Sequence, residues 1–113
     1  MFGFGKAKQH RELTPAELKA MLDDGTALLV DVREPDEFAA GHIKGAVNLP
    51  LSGFSPDKLP AAGGKTVVLQ CAGGKRSGMA LDRCANAQAA VDTHLGGGLS
   101  AWCASGLPIV QGR

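Results

Sequence analysis

The chain has 113 residues and a mass of 11.6 kDa, the usual size of one domain, which leaves no room for a second core. Twelve Lys and Arg against eleven Asp and Glu leave a formal charge of +1 with no face rich in one sign, so no nucleic-acid partner is expected. Hydrophobic residues at 44%, charged residues at 20% and a mean hydropathy near zero exclude a disordered chain. The uncharged stretch from Thr93 to Gly112 is broken by Gly, Pro, Ser and His, so it is not read as a membrane span.

Residues 1–10 mix Gly, Lys and Phe without period and are read as a loose tail, with the folded domain over 11–113. No signal-peptide pattern follows Phe4. Thr14-Pro15-Ala16-Glu17 has the form of a capping box with proline at the first helical position. Leu18, Met21 and Leu22 then give one apolar face, and Asp24-Gly25 stops the helix. Ala27 to Val32 is a short, nearly continuous apolar run, as expected of a strand buried on both faces of a parallel sheet. Glu34 to Phe38 opens a short helix ended by Gly41, and Ala46 to Leu49 gives a brief strand. Ser52 to Gly64 reads as a loop with one helical turn. Thr66 to Gln70 is the next buried strand, followed by the loop from Cys71 and a helix from about Ser77. A weak strand at Val91 to Leu95, a triple glycine at 96–98 and a closing helix through Trp102 complete the chain. Strands alternating with short helices indicate an α/β fold with a small, mainly parallel sheet of about five strands and helices on both faces.

Ligands of such sheets bind where the carboxyl ends of strands meet the following loops, and Cys71-Ala72-Gly73-Gly74-Lys75-Arg76-Ser77 sits at such an end. Each part of this loop favours a thiolate. Glycines let successive N–H groups turn inward as an anion-binding nest, and the following helix adds its positive end. Lys75 and Arg76 add full charges, so the Cys71 thiol is expected below its free value. The plain alternative is a small buried hydrophobe at a strand end. A P-loop does not fit, because the G-x-x-x-x-G-K-[ST] spacing is absent. Cys71, Cys84 and Cys103 are an odd number without CxxC pairing, which suggests neither a disulfide framework nor a metal site. A reducing, cytoplasmic setting is the expectation, and no cofactor is expected.

Three blocks of the sequence resemble the single-domain rhodaneses, sulfurtransferases that carry sulfur as a cysteine persulfide. Asp31 to Pro50 is similar to the family's amino-terminal signature. Cys71 to Arg76 matches its active-site pattern C-x-x-G-x-R. Leu95 to Trp102 with Gly106-Leu107-Pro108 is similar to its carboxy-terminal signature. The resemblance implies Cys71 as nucleophile, with Ala72, Gly73, Gly74, Lys75, Arg76 and Ser77 as the substrate-binding loop. It implies Asp31 and Arg33 as supporting residues that brace that loop. The implied substrates are a small anionic donor such as thiosulfate and a thiol or cyanide acceptor; a thiol-carrying protein is the alternative partner, in a persulfide relay. A binding module without catalysis is a further alternative, although such modules usually lose the cysteine kept here. The related dual-specificity phosphatases use one more residue between Cys and Arg, so the shorter loop favours sulfur over phosphorus.

Departures from the family pattern lie between residues 84 and 90, where Asn86 is expected to act as a left-handed helix cap in place of Gly. An ionised thiolate needs no base, so His42 and His94 are read as structural. Trp102 is read as core, and Cys84 and Cys103 as packing residues unless one proves close enough to Cys71 to resolve its persulfide.

Overall fold

The computed structural model describes residues 10–112. The tail expected over 1–10 therefore lies, except for His10, outside the described residues. Five strands, β1 (Arg11–Leu13), β2 (Ala27–Asp31), β3 (Val47–Asn48), β4 (Thr66–Gln70) and β5 (Thr93–Leu95), form one sheet in the order β1-β5-β4-β2-β3. Every pairing is parallel. Three helices connect strands, α1 (Pro15–Asp24), α2 (Pro35–Ala40) and α3 (Lys75–Asn86), and α4 (Gly98–Ala104) follows β5. The α/β architecture is the one expected.

Alternation along the central strands divides the core. Leu29 and Val68 face one cluster with Leu18 of α1 and Trp102 of α4. Val30 and Leu69 face the other, with Ala80, Leu81 and Cys84 of α3. Because successive strand residues point to opposite faces, a strand covered on both sides reads as the continuous apolar runs of β2 and β4. Burying a side chain such as Leu18 or Leu81 contributes about 1.5–3 kcal/mol.

The capping box of α1 forms as the sequence indicates: the Thr14 N–H donates to the Glu17 carboxylate at 2.8 Å, and the Glu17 N–H donates to Thr14 Oγ1 at 3.1 Å. Four local readings are corrected. Arg11–Leu13, read only as the start of order, is an edge strand paired with β5. The loop after β3 holds two 3₁₀ turns, Leu51–Gly53 and Pro56–Lys58, where one turn was expected. Helix α3 begins at Lys75 instead of Ser77, because Gly74 is its N-cap. Asn86 lies inside α3, and the left-handed residue after it is Gln88 at φ 58°.

Candidate active site

Strand β4 carries Cys71 to the carboxyl edge of the sheet, where the loop folds back over its sulfur. The Gly74 N–H donates to Cys71 Sγ at 3.1 Å and the Ser77 N–H at 3.3 Å, with the Ser77 hydroxyl 3.6 Å away. Gly74 adopts φ 107°, a conformation open to glycine and costly for a residue with Cβ; it turns its own amide inward and starts α3 at once. Burial pushes the Cys71 thiol up. The Ser77 amide and hydroxyl and the amides of Gly74 and Gly73 outweigh it, and the thiol is held below its ordinary value. Those donors hydrogen-bond a thiolate better than a thiol, which is the physical cause of the shift.

The loop is clamped from behind by α4. Leu99 N–H donates to the Cys71 carbonyl at 2.8 Å and Ser100 N–H to the Ala72 carbonyl at 2.9 Å. This approach requires Gly98: a Cβ there would lie 2.5 Å from the Cys71 carbonyl oxygen and 2.6 Å from the Ala72 carbonyl carbon, and its φ is +60°. Gln70 adds a third hold, its Nε2 donating to the Cys71 carbonyl at 3.0 Å.

The two loop cations differ. Lys75 is exposed. Arg76 is engaged by Glu37 of α2, through Nη1 to Oε1 at 2.7 Å and Nη2 to Oε2 at 3.0 Å. Arg76's side-chain hydrogen bonds, with the Glu34 N–H adding to them, hold the Glu37 carboxyl down at about 2. Asp31 and Arg33, both buried, bond chiefly to each other: Arg33 Nε donates to Asp31 Oδ1 at 3.0 Å and Nη2 to Oδ2 at 2.8 Å. Arg33 Nη2 also donates to the Gly41 carbonyl at 2.7 Å. The pair thus fastens the end of α2, and α2 carries the Glu37 that holds Arg76.

His42 donates from Nδ1 to the Phe38 carbonyl at 2.8 Å and stacks on the Phe38 ring at 3.7 Å between centroids. Trp102 is core and donates to the Pro108 carbonyl at 2.8 Å. Cys84 is buried among apolar side chains, where burial pushes its thiol up, and Cys103 is exposed.

Three contributors escaped the sequence reading. In the sequence Glu37 is only part of a helix start, since nothing local ties it to a residue 39 positions on. Gly98 stood within a family block without a stated task. His94, read as structural, lies 2.7 Å from the Ser77 hydroxyl through Nδ1. Finding it requires the register that sets His94 beside Leu69 of β4.

The family model described as "Rhodanese-like domain" matches residues 14–105. The chain belongs to the rhodanese-like family. A rhodanese-like structure, the thiosulfate sulfurtransferase of Pseudomonas aeruginosa, superposes with a TM-score of 0.80 at 25% identity, over 92% of this chain and 21% of that one. The rhodanese-related protein of Thermoplasma volcanium gives 0.75 at 28% identity, over 89% and 98% of the two chains. Among relatives by sequence, an uncharacterized protein of Synechocystis is 46% identical over 88% of this chain and 55% of its own. The probable adenylyltransferase/sulfurtransferase MoeZ of Mycobacterium tuberculosis is 40% identical over 86% of this chain and 26% of its own. This rhodanese-like chain thus spans about half the length of one curated relative and about a quarter of the other.

Proposed function

We propose that the protein is a sulfurtransferase that moves a sulfane sulfur from a small anionic donor such as thiosulfate, through a persulfide on Cys71, to cyanide or a thiol. The observation that carries this reading is the convergence of the Gly74 and Ser77 amides on the Cys71 sulfur at 3.1 and 3.3 Å. The Cys71 thiolate attacks the outer sulfur of the donor. The S–S bond of the donor breaks and sulfite leaves with its electron pair. The terminal persulfide anion is then met by the same N–H groups and the α3 N-terminus. In the second step the acceptor attacks that outer sulfur and Cys71 departs again as a thiolate. Lys75 draws in anionic donors by its charge, and Arg76 shapes the loop through Glu37.

The printed names of a thiosulfate sulfurtransferase and of an adenylyltransferase/sulfurtransferase among the similar proteins support sulfur transfer as the reaction class. Cys71 retains 1% of its surface, which favours a small donor over direct docking of a folded protein's persulfide. Free thiols at positions 71, 84 and 103 fit a reducing compartment such as the cytoplasm. Thiocyanate formation from thiosulfate and cyanide tests the reading: turnover is expected in the wild type and none in Cys71→Ser, and turnover by that variant overturns the assignment.

A further inference from the structure

Ser77 joins two buried groups that the sulfur-transfer chemistry leaves unlinked. Cys71 sits two residues beyond Leu69 on the β4 line, and so has its side chain on the same face of the sheet. His94 of β5 is the register partner of Leu69. The first turn of α3 lays Ser77 between them, its Oγ 3.6 Å from Cys71 Sγ and 2.7 Å from His94 Nδ1. Cys71, Ser77 and His94 are 1%, 0% and 5% exposed. Ser77 thus offers the proton of this buried sulfur a route through the protein.

The far side of the imidazole fixes the direction of that route. His94 Nε2 lies 3.4 Å from Glu12 Oε2, and a carboxylate only accepts, so the ring proton belongs on Nε2 and Nδ1 is left as the acceptor. The Ser77 hydroxyl donates to Nδ1, and its oxygen faces the Cys71 S–H. Every donor in the line then points outward from sulfur to Glu12. The Gly74 carbonyl, 3.2 Å from Ser77 Oγ, is also only an acceptor and competes for the serine proton without supplying one.

We propose that His94, acting through the hydroxyl of Ser77, takes up the proton of the Cys71 thiol, so that the sulfur and the imidazole ionise as a pair. The S–H bond breaks and its proton joins Ser77 Oγ, while the original Ser77 proton passes to His94 Nδ1. Thiol plus imidazole becomes thiolate plus imidazolium, with no net change of charge. All donors then reverse: the imidazolium donates to Ser77, and Ser77 donates to the thiolate. His94 touches neither donor nor acceptor sulfur and is a positioning residue.

The surroundings act on this exchange in both directions. Burial, with His10 reinforcing it, lowers the His94 imidazole and weakens it as a base, while Glu12 opposes that shift and favours the imidazolium. The His10 ring stands edge-on at 6.2 Å and is itself held by Asp82 of α3 at 2.7 Å. On the sulfur side the charged neighbours are Lys75 and Arg76 of α3, with Asp31 at the end of β2 and Glu37 of α2 acting on Arg76. Helix α4, packed against the loop, brings no charged residue.

The proposal concerns the same sulfur as the proposed function and takes Cys71 to be its nucleophile, but its test needs no turnover. Alkylation of Cys71 by iodoacetamide, followed by peptide mass across about pH 5 to 10, reads thiolate formation directly. His94→Asn keeps a partner for the Ser77 hydroxyl and cannot take the proton; Ser77→Ala cuts the line. Both are expected to raise the midpoint of Cys71 ionisation by about one unit, a tenfold loss of thiolate below the midpoint. Reciprocity requires the same coupling from the other side: in Cys71→Ala, the NMR titration of the His94 ring should move to lower pH than in the wild type. Superimposable alkylation profiles, or an unmoved His94 titration, overturn the proposal. If either variant fails to fold, the comparison in Cys71→Ala decides alone. A protein that shows the coupling but never acquires sulfur from thiosulfate upholds this inference and refutes the proposed function, and the converse result does the reverse.

Discussion

Glu37 and Arg76 form a two-point ion pair, at 2.7 and 3.0 Å, that ties α2 to the first turn of the helix following Cys71. The guanidinium is therefore already engaged by a carboxylate, and its charge reaches an incoming anion only partly neutralised. Glu37→Gln is expected to free that charge and lower the KM for thiosulfate about threefold, which is about 0.65 kcal/mol. Steady-state kinetics at low salt check this; an unchanged or raised KM shows that Arg76 serves only the scaffold.

The same pair makes a prediction about acid. The folded carboxyl of Glu37 sits at about 2 against an ordinary 4.5, so the folded state binds this proton more weakly than the unfolded state does. Its stabilisation is present above the ordinary value and is lost as pH falls through about 2. Both side chains are about one-third exposed, so solvent screening limits the contribution to about 1 kcal/mol or less. Melts of wild type and Glu37→Gln should differ by a few degrees near neutral pH, and the difference should shrink below pH 4.5.

Gly98→Ala pushes α4 off the Cys71 loop. Its Cβ would meet the Cys71 carbonyl oxygen at 2.5 Å, and the backbone at φ +60° disfavours any side chain. A loss of about 2 kcal/mol or more in urea unfolding is expected. By contrast, Gly53→Ala adds a Cβ with nothing within 4 Å and no positive φ, and is expected to cost less than about 0.5 kcal/mol.

Lys75→Ala removes an exposed cation from the start of α3. The KM for anionic donors should rise a few-fold with kcat nearly unchanged, and the difference from wild type should fade as salt is added. A drop in kcat at saturating donor would mean that Lys75 acts on the reacting atoms themselves.

What the sequence discloses and what it withholds follow from the range of the interactions. The capping box at Thr14 and Glu17 is a contact across three residues, and the buried strands β2 and β4 announce themselves by unbroken apolar runs; both were legible. Strand β1 was not, because Arg11 and Glu12 are exposed and only Leu13 is buried, which leaves one apolar residue and no period. The start of α3 is hidden because Gly-Gly-Lys-Arg looks like loop, whereas Gly74 at φ 107° is the N-cap and the helix starts at Lys75. Cys71 and its amide cradle are local and could be read directly. Glu37 and His94 are joined to the loop only by tertiary packing, across 39 residues for Glu37 to Arg76 and 17 for Ser77 to His94.

Intact mass after incubation with thiosulfate examines the persulfide itself. The wild-type chain should gain the mass of one sulfur atom, lose it on addition of cyanide, and gain nothing when Cys71 is replaced by Ser. A wild-type mass that never changes, or an adduct that persists in Cys71→Ser, contradicts the account.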